Sequence, residues 1–179
     1  MHPPIHLAVS WLIAHRLPER RDRILVTWSG VVPDLDALSL LGGVATYSQY
    51  HHVLTHGLIA AVVGTVIWTA LARERLKVAL LSLLAFHVHI LCDLIGSGAE
   101  GQPWAVYYFY PFSWYEFFIP HGWDLASPEN ALVWLLAVAA TVWIALTRGR
   151  TFGEAFLPAR ADLAVVATLR RIFSRRSPQ

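Results

Sequence analysis

Histidine and aspartate side chains recur along this sequence at spacings that could bring them together. His89 and Asp93 are four residues apart in an apolar segment, so a helix would place them on one face. His51 and His56 come just before another apolar segment. Imidazole and carboxylate groups that converge from neighbouring helices are the ligands of zinc-type sites. The spacing therefore predicts a metal site.

Two apolar segments joined by a short charged link would bring these groups to one place. Residues 57–72 and 78–95 are each long enough for one helix, and the link at 73–77 reads Arg-Glu-Arg-Leu-Lys. An antiparallel helix pair is the expected result. At about 1.5 Å per residue, His56 would lie ~25 Å from the turn and Asp93 ~24 Å from it. Both therefore reach the same end of the pair.

The first 36 residues add further candidates. A short helix is expected over residues 5–15, and an apolar segment at 24–32 ends where Pro33 disfavours further helix. Aspartates in so apolar a chain are costly unless paired or bound to metal, although helix capping is the other ordinary use. The candidate ligands are His6, Asp34, Asp36, His51, His56, His89 and Asp93, with Asp36 also the candidate catalytic base.

This ligand set exceeds what one tetrahedral ion needs. The sequence therefore favours two or more divalent ions, most simply zinc. The one cysteine, Cys92, excludes an internal disulfide and a thiolate-based zinc site. No G-x-S-x-G motif or glycine-rich phosphate loop is present, so a serine hydrolase is not expected. Intramembrane His and Asp could also line a transport path, but these residues gather at one end.

The composition indicates a membrane protein. Hydrophobic residues make up 56% of the chain and charged residues 15%, against about 25% charged in soluble domains. The candidate spans are 57–72, 78–95 and 131–147, the first at the short end of what a bilayer requires. Helices buried in a soluble bundle are the alternative, but 57–72 offers water only Thr65 and Thr69. We expect an all-α, membrane-embedded helical bundle.

The basic residues are concentrated in four segments, at 16–23, 73–77, 148–160 and 170–176. The positive-inside rule would place these segments in the cytoplasm of a bacterial-type inner membrane, with the metal site toward the outer face. We expect a membrane-embedded domain over 1–150 and a basic cytoplasmic tail over 151–179, with an amphipathic helix near 161–173. The tail could meet anionic lipid or a protein partner. No nucleic-acid partner is expected.

Residues 96–130 form a long aromatic-rich insertion at the predicted site end. An aromatic belt at the membrane surface and a lid over the metals are both consistent with this composition. Glu116, His121 and Asp124 are the polar residues of the insertion that could add a ligand or an acid–base group.

Short motifs along residues 6–118 occur in an order that resembles a known family. They are an early His at His6, Pro-Asp-Leu-Asp at 33–36, the His-rich 51–56 segment, His-x-x-x-Asp at 89–93 and Tyr-Pro-Phe-Ser at 110–113. The chain resembles the YdjM-like group of small inner-membrane proteins described as metal-dependent hydrolases. It departs from that pattern at His52, Val53, Gly57 and Trp114. The ligand types are also similar, more distantly, to those of zinc phospholipase C and P1 nuclease.

The resemblance and the membrane composition together imply a function. We expect a membrane-bound, metal-dependent hydrolase that acts on a phosphoester of a lipid or lipid-linked substrate. The alternative is a non-enzymatic membrane protein in which the metal staples short helices and the basic tail binds a protein partner.

Overall fold

The computed structural model describes residues 1–99 and 102–174; Glu100, Gly101 and residues 175–179, with the predicted tail residues Arg175 and Arg176, lie outside the described residues. The regular elements of the described residues are helices, which confirms the all-α prediction. They are α1 (Pro3–Ala14), α2 (Arg20–Ser29), a 3-10 helix (Pro33–Gly42), α3 (Val44–Tyr50), α4 (Leu58–Leu71), α5 (Arg75–Gly96), α6 (Pro128–Arg148), a short 3-10 helix (Phe152–Ala155) and α7 (Ala159–Ser174).

The helices form a bundle with two chemically distinct ends. At one end, which we call the site end, α2 finishes beside the last part of α5, where the Gly30 carbonyl lies 2.7 Å from His89 Nδ1. Asn130 at the start of α6 donates to the Gly96 carbonyl there as well. At the other end, which we call the basic end, the Arg73 amide donates to the carboxylate of Asp22.

Helix α5 lies at the centre of the bundle and packs against α1, α2 and α4. Its buried residues Val78, Ala85 and Phe86 form apolar contacts along most of its length. Gly30 permits a close approach beside it, because a Cβ atom there would lie 1.8 Å from Ser10 Oγ on α1. This approach fixes the Gly30 carbonyl against His89.

Helices α5 and α6 are long and apolar enough to cross a membrane, with mean hydropathies of 2.1 and 1.9. They match the spans expected at 78–95 and 131–147. The α2 helix and the 3-10 helix after it, bent by 58°, count as a third candidate if they form one span. Helix α4 has only 14 residues, about 21 Å, and is shorter than the ~30 Å hydrocarbon core. The structure therefore supports two to three spans.

The glycine pair and small polar residues of 37–50 suit a loop in the sequence, but these residues are largely helical in the structure. The 3-10 helix continues to Gly42 and α3 follows it from Val44 to Tyr50. Gly43 joins them with a φ of 97°, a conformation that favours glycine. The glycine pair in the sequence marks this junction and not an extended loop.

Asp22 stabilises the basic end by capping the entry to α5. Its buried carboxylate accepts from the amides of Arg73 and Glu74 at 3.0 and 2.9 Å. These two amides come just before the first residue of α5, in the turn between α4 and α5. The cap ties α2 to the turn of the α4–α5 pair.

We expect Asp22→Ala to lower the free energy of unfolding by about 1–3 kcal/mol, because it leaves buried backbone donors without a partner. Unfolding in mixed detergent micelles, in which the fraction of a denaturing detergent is increased stepwise, measures this free energy. Glu19→Gln is the matched control: it removes the exposed ion pair of Glu19 with Arg73 and should change stability by less than about 0.5 kcal/mol. Equal effects of the two substitutions would contradict the role assigned to Asp22.

Candidate metal site

Four side chains at the site end converge closely enough to hold a metal ion. Asp34, His56, His89 and Asp93 each offer one ligand atom, and these atoms lie within 4.8 Å of one another. The three residues other than Asp34 are buried. Helix α5 contributes two of the four: His89 and Asp93 share one face of it, with Nε2 2.9 Å from Oδ2. His56 comes from the segment before α4, and Asp34 from the 3-10 helix.

The hydrogen bonds of His56 and His89 determine which ring nitrogen faces the cluster. His56 Nδ1 lies 2.7 Å from Asp36 Oδ2, and His89 Nδ1 lies 2.7 Å from the Gly30 carbonyl. Carboxylate and carbonyl oxygens accept, so Nδ1 carries the proton in each ring. Among the described residues, both Nε2 atoms are buried and make no hydrogen bond, although His89 Nε2 lies 2.9 Å from Asp93 Oδ2. A ligand histidine must lose any proton from Nε2, and in that form both lone pairs would face the cluster, as metal ligation requires.

Asp36 lies behind the histidines. Its Oδ1 accepts from His51 Nδ1 at 2.7 Å, and its Oδ2 accepts from His56 Nδ1 and from the His52 amide at 2.7 and 2.8 Å. The Asp36 amide in turn donates to Thr55 Oγ1. This geometry orients the imidazoles. The predictions that Asp36 itself binds metal and acts as the base stay predictions.

Asp93 has two sets of neighbours. Its Oδ2 faces His89 and His56, whose Nε2 atoms lie 2.9 and 3.4 Å away. Its Oδ1 lies 3.0 Å from His6 Nε2, accepts from Ser97 Oγ and also contacts the Met1 amino nitrogen. The His6 ring stacks on His89 with centroids 3.7 Å apart. Asp93 thus lies between histidines on two sides.

The two adjacent histidines at 51 and 52 take different positions. His51 packs against Tyr47 and bonds to Asp36, one step away from the cluster. His52 is 2% exposed and places Nε2 3.8 Å from Asp93 Oδ2. Sequence reasoning missed His52 as a site residue. The direction of its side chain depends on a backbone φ of 65°, which no sequence motif predicts. Its position next to His51 was the only signal.

The aromatic insertion covers the site through Trp104, whose ring lies 4.8 Å from that of His52 and 5.4 Å from that of His51. Beneath it is a cavity of about 390 Å³, whose lining includes Asp34, Asp93 and Tyr47. Among the described residues, Glu116, His121 and Asp124 do not belong to the cluster of potential metal ligands. Glu116 instead accepts from the Tyr107 hydroxyl at an exposed position.

The pKa values of His56 and His52 are shifted in opposite directions. Burial lowers the pKa of His56, but the Asp36 and Asp93 carboxylates outweigh it and raise that pKa from 6.5 to about 9. Burial and the neighbouring His56 hold the pKa of His52 well below 6.5. Without metal, His56 is therefore protonated near neutral pH and His52 is neutral.

The profile of the YdjM inner membrane protein family matches residues 1–169, which takes in every residue of the cluster. The chain belongs to the YdjM inner membrane protein family. No curated protein and no solved structure matches it significantly. Family membership together with the apolar helices α5 and α6 identifies an inner-membrane protein. The Asp and His cluster gives this YdjM-family chain a site that could hold a metal ion.

Metal binding should release protons. Because an ion must displace the proton of His56, the affinity for Zn²⁺ should rise between about pH 7 and pH 9. Calorimetric titration of Zn²⁺ in two buffers of different ionisation enthalpy counts the released protons. His87→Ala is the control, since His87 is exposed on α5 and bonds to the Tyr108 hydroxyl. A zinc affinity independent of pH and buffer would contradict the assignment of His56.

Proposed function

We propose that this inner-membrane protein is a metal-dependent hydrolase of lipid phosphoesters. The observation that carries the proposal is the pair of buried, unpartnered Nε2 atoms of His56 and His89 beside the carboxylates of Asp34 and Asp93. Nitrogen and oxygen donors without sulfur suit Zn²⁺ in a hydrolytic site. An ion at this place would take the position of the His56 proton and would compensate the charge of the buried Asp93 carboxylate and of Asp34.

We propose that the site would hold two or more ions, with His6, Asp34, His56, His89 and Asp93 as the residues that would bind them. Its Oδ2 faces His56 and His89, whereas its Oδ1 faces His6 on the other side. One carboxylate with histidines at both oxygens is suited to a shared ligand in a two-ion site. Asp34, 16% exposed and lining the cavity, completes the side that is open to substrate.

Bound divalent ions supply Lewis-acid polarisation of a phosphoryl oxygen and activation of a water. The chain supplies orientation and proton transfer. Asp36 holds His51 Nδ1, so the other nitrogen of His51 can accept a proton at the cavity that His51 lines. Asp36, predicted from sequence to be the base, acts in this proposal through His51. Trp104 limits the access of bulk water to the site.

The substrate class is proposed from a second cavity of about 350 Å³ between α1 and α6. It shares His2 and Leu125 with the metal cavity, and its remaining lining is largely apolar, including Ile5, Ala131 and Trp134. Apolar space beside the metal cavity suits a lipid whose phosphate would meet the ions while an acyl chain occupies this second cavity, which we call the groove. Helix α6 is a candidate membrane span, which supports a lipid as the occupant of the groove.

A structural metal site is the second candidate. It is favoured by the origin of the cluster in separate parts of the fold and by the complete burial of His56. An ion there would hold together the 3-10 helix, the segment before α4 and the end of α5. In that case the basic C-terminal segment would be the part that binds a protein partner.

Metal content and turnover of detergent-purified protein distinguish the two candidates. Wild type should carry two or more zinc-type ions and hydrolyse phosphatidic acid or a phosphatidyl diester in mixed micelles. Asp93→Ala should lose both metal and turnover. Asp36→Asn should bind metal about 10–100-fold more weakly, since it removes the group that orients His56 and His51.

His87→Ala, an exposed histidine on the same helix as Asp93, should keep both properties. Metal content and hydrolysis that survive Asp93→Ala would refute the site. Metal that is lost together with the fold, with no phosphoester turned over by the wild type, would establish the structural role instead.

The groove predicts chain-length dependence. Ala131→Trp should fill the apolar cavity and lower kcat/KM for a long-chain lipid phosphoester by about tenfold, while a soluble short phosphoester is hydrolysed as before. Leu132→Trp is the matched control, because the exposed Leu132 is adjacent in sequence but does not line the groove. An equal loss for both substrates, or for both variants, would show that the groove does not hold the acyl chain.

A further inference from the structure

A group of arginines at the basic end lines a third cavity, at the opposite end of the bundle from the metal cluster. The cavity measures about 260 Å³ and lies between the start of α2, the end of α6 and the start of α7. Its lining contains four arginines and two acids, an excess of two positive charges; the arginines are Arg20, Arg23, Arg148 and Arg150.

The two acids of this cavity are already engaged. Glu154, 2% exposed, accepts from Arg23 Nε and Nη2 at 2.6 and 2.8 Å and from the Trp11 indole at 2.7 Å. Asp162 accepts from the Thr151 hydroxyl at 2.5 Å and lies within 3.4 Å of the Thr151 amide. Arg23 is therefore neutralised by Glu154, and the other three arginines carry the excess charge.

Arg20 and Arg150, which both line the cavity, each have a donor without a hydrogen-bond partner among the described residues. Arg20 donates through Nη2 to the carbonyls of Glu154 and Leu157, but its Nε is buried without a hydrogen-bond partner and lies 4.0 Å from Glu154 Oε2. Within the part of the chain that the structure describes, Arg150 makes one long bond of 3.4 Å through Nη1 to the Leu17 carbonyl, and its Nε is likewise buried without a partner. A buried, unpaired donor on a charged group is costly.

The local field at Arg150 is positive. Burial and the charges of Arg23 and Arg148 lower the pKa of Arg150, and Glu154 offsets this only in part. The turn that joins α6 to the following segment produces this crowding, since Gly149 adopts a φ of 70° and places Arg148 and Arg150 at the same cavity. An anion would relieve both the repulsion and the unsatisfied donors.

We propose that this cavity, bounded by Arg20, Arg148 and Arg150, is a binding site for one phosphate group. Guanidinium groups match phosphate oxygens in charge and in geometry. The start of α7 at Ala159 also lines the cavity, and the N-terminal end of a helix favours an anion. The site lies at the end of the bundle that carries the basic segments, where anionic headgroups of the cytoplasmic leaflet are the expected source of phosphate; free phosphate is the other source.

The site does not depend on the proposed hydrolase function. It shares no residue with the metal cluster, and its role would be to anchor the basic end at a defined headgroup.

The test uses the full chain and compares Arg150→Gln with Arg160→Gln. Both variants lose one positive charge at the same end of the molecule, but Arg160 is exposed on the first turn of α7 and does not line the cavity. Arg20 is left intact because it bonds to the carbonyls of Glu154 and Leu157. Calorimetry measures inorganic phosphate binding, and native mass spectrometry counts phosphatidylglycerol molecules retained from nanodiscs.

Wild type and Arg160→Gln should bind alike, and Arg150→Gln should bind at least about tenfold more weakly. Selective loss of retained phosphatidylglycerol identifies a lipid headgroup as the source, and selective loss of inorganic phosphate binding alone identifies free phosphate. Repeating the phosphate titration in Asp93→Ala keeps the metal cluster from contributing. No binding of either probe by wild type, or an equal loss in the two arginine variants, would overturn the proposal, because a diffuse positive field would then explain the arginines.

Discussion

Burying Asp93 at the end of an apolar bundle is the constraint on which the rest of the site end depends. A carboxylate that is 3% exposed is costly unless cations or donors surround it. Histidines from α1, from the segment before α4 and from α5 itself all face it. The ends of these elements must therefore meet at one place, and Gly30 makes that possible by letting α2 approach α1 closely.

Charge is separated along the bundle in a way that suits a bilayer. The metal-ligand candidates occupy the site end, while the basic end is tied together by Asp22 and by the Glu154–Arg23 pair. Between them, α4, α5 and α6 expose large apolar side chains, such as Val66, Leu84 and Leu135. Apolar surface of this extent is stable where lipid covers it. The separation also explains why the cluster and the arginine cavity can act as independent sites.

Sequence periodicity was sufficient for the helix pair that carries His56, His89 and Asp93, because hydrophobic length and a charged turn determine an antiparallel hairpin. It was not sufficient for contacts that depend on the packing of distant elements. The Gly30 carbonyl that orients His89 and the inward turn of His52 leave no pattern in the chain.

The C-terminal segment illustrates the same limit. The division at residue 150 into a membrane domain and a tail stays a prediction. Glu154, four residues beyond that boundary, is buried against Trp11 and Arg23, which belong to the first two helices. A buried ion pair between residues so far apart in sequence follows from the fold and not from composition.

X-ray absorption at the zinc edge of zinc-loaded, detergent-purified protein is the sharpest test of the proposed metal site. A site of histidines and aspartates predicts only nitrogen and oxygen scatterers around zinc, with several imidazoles, and a second zinc at about 3.5–4 Å. A sulfur scatterer at about 2.3 Å would point to ligation by Cys92, and zinc surrounded by water oxygens alone would show that the histidines do not bind it. Either spectrum would contradict the metal site proposed at Asp34, His56, His89 and Asp93.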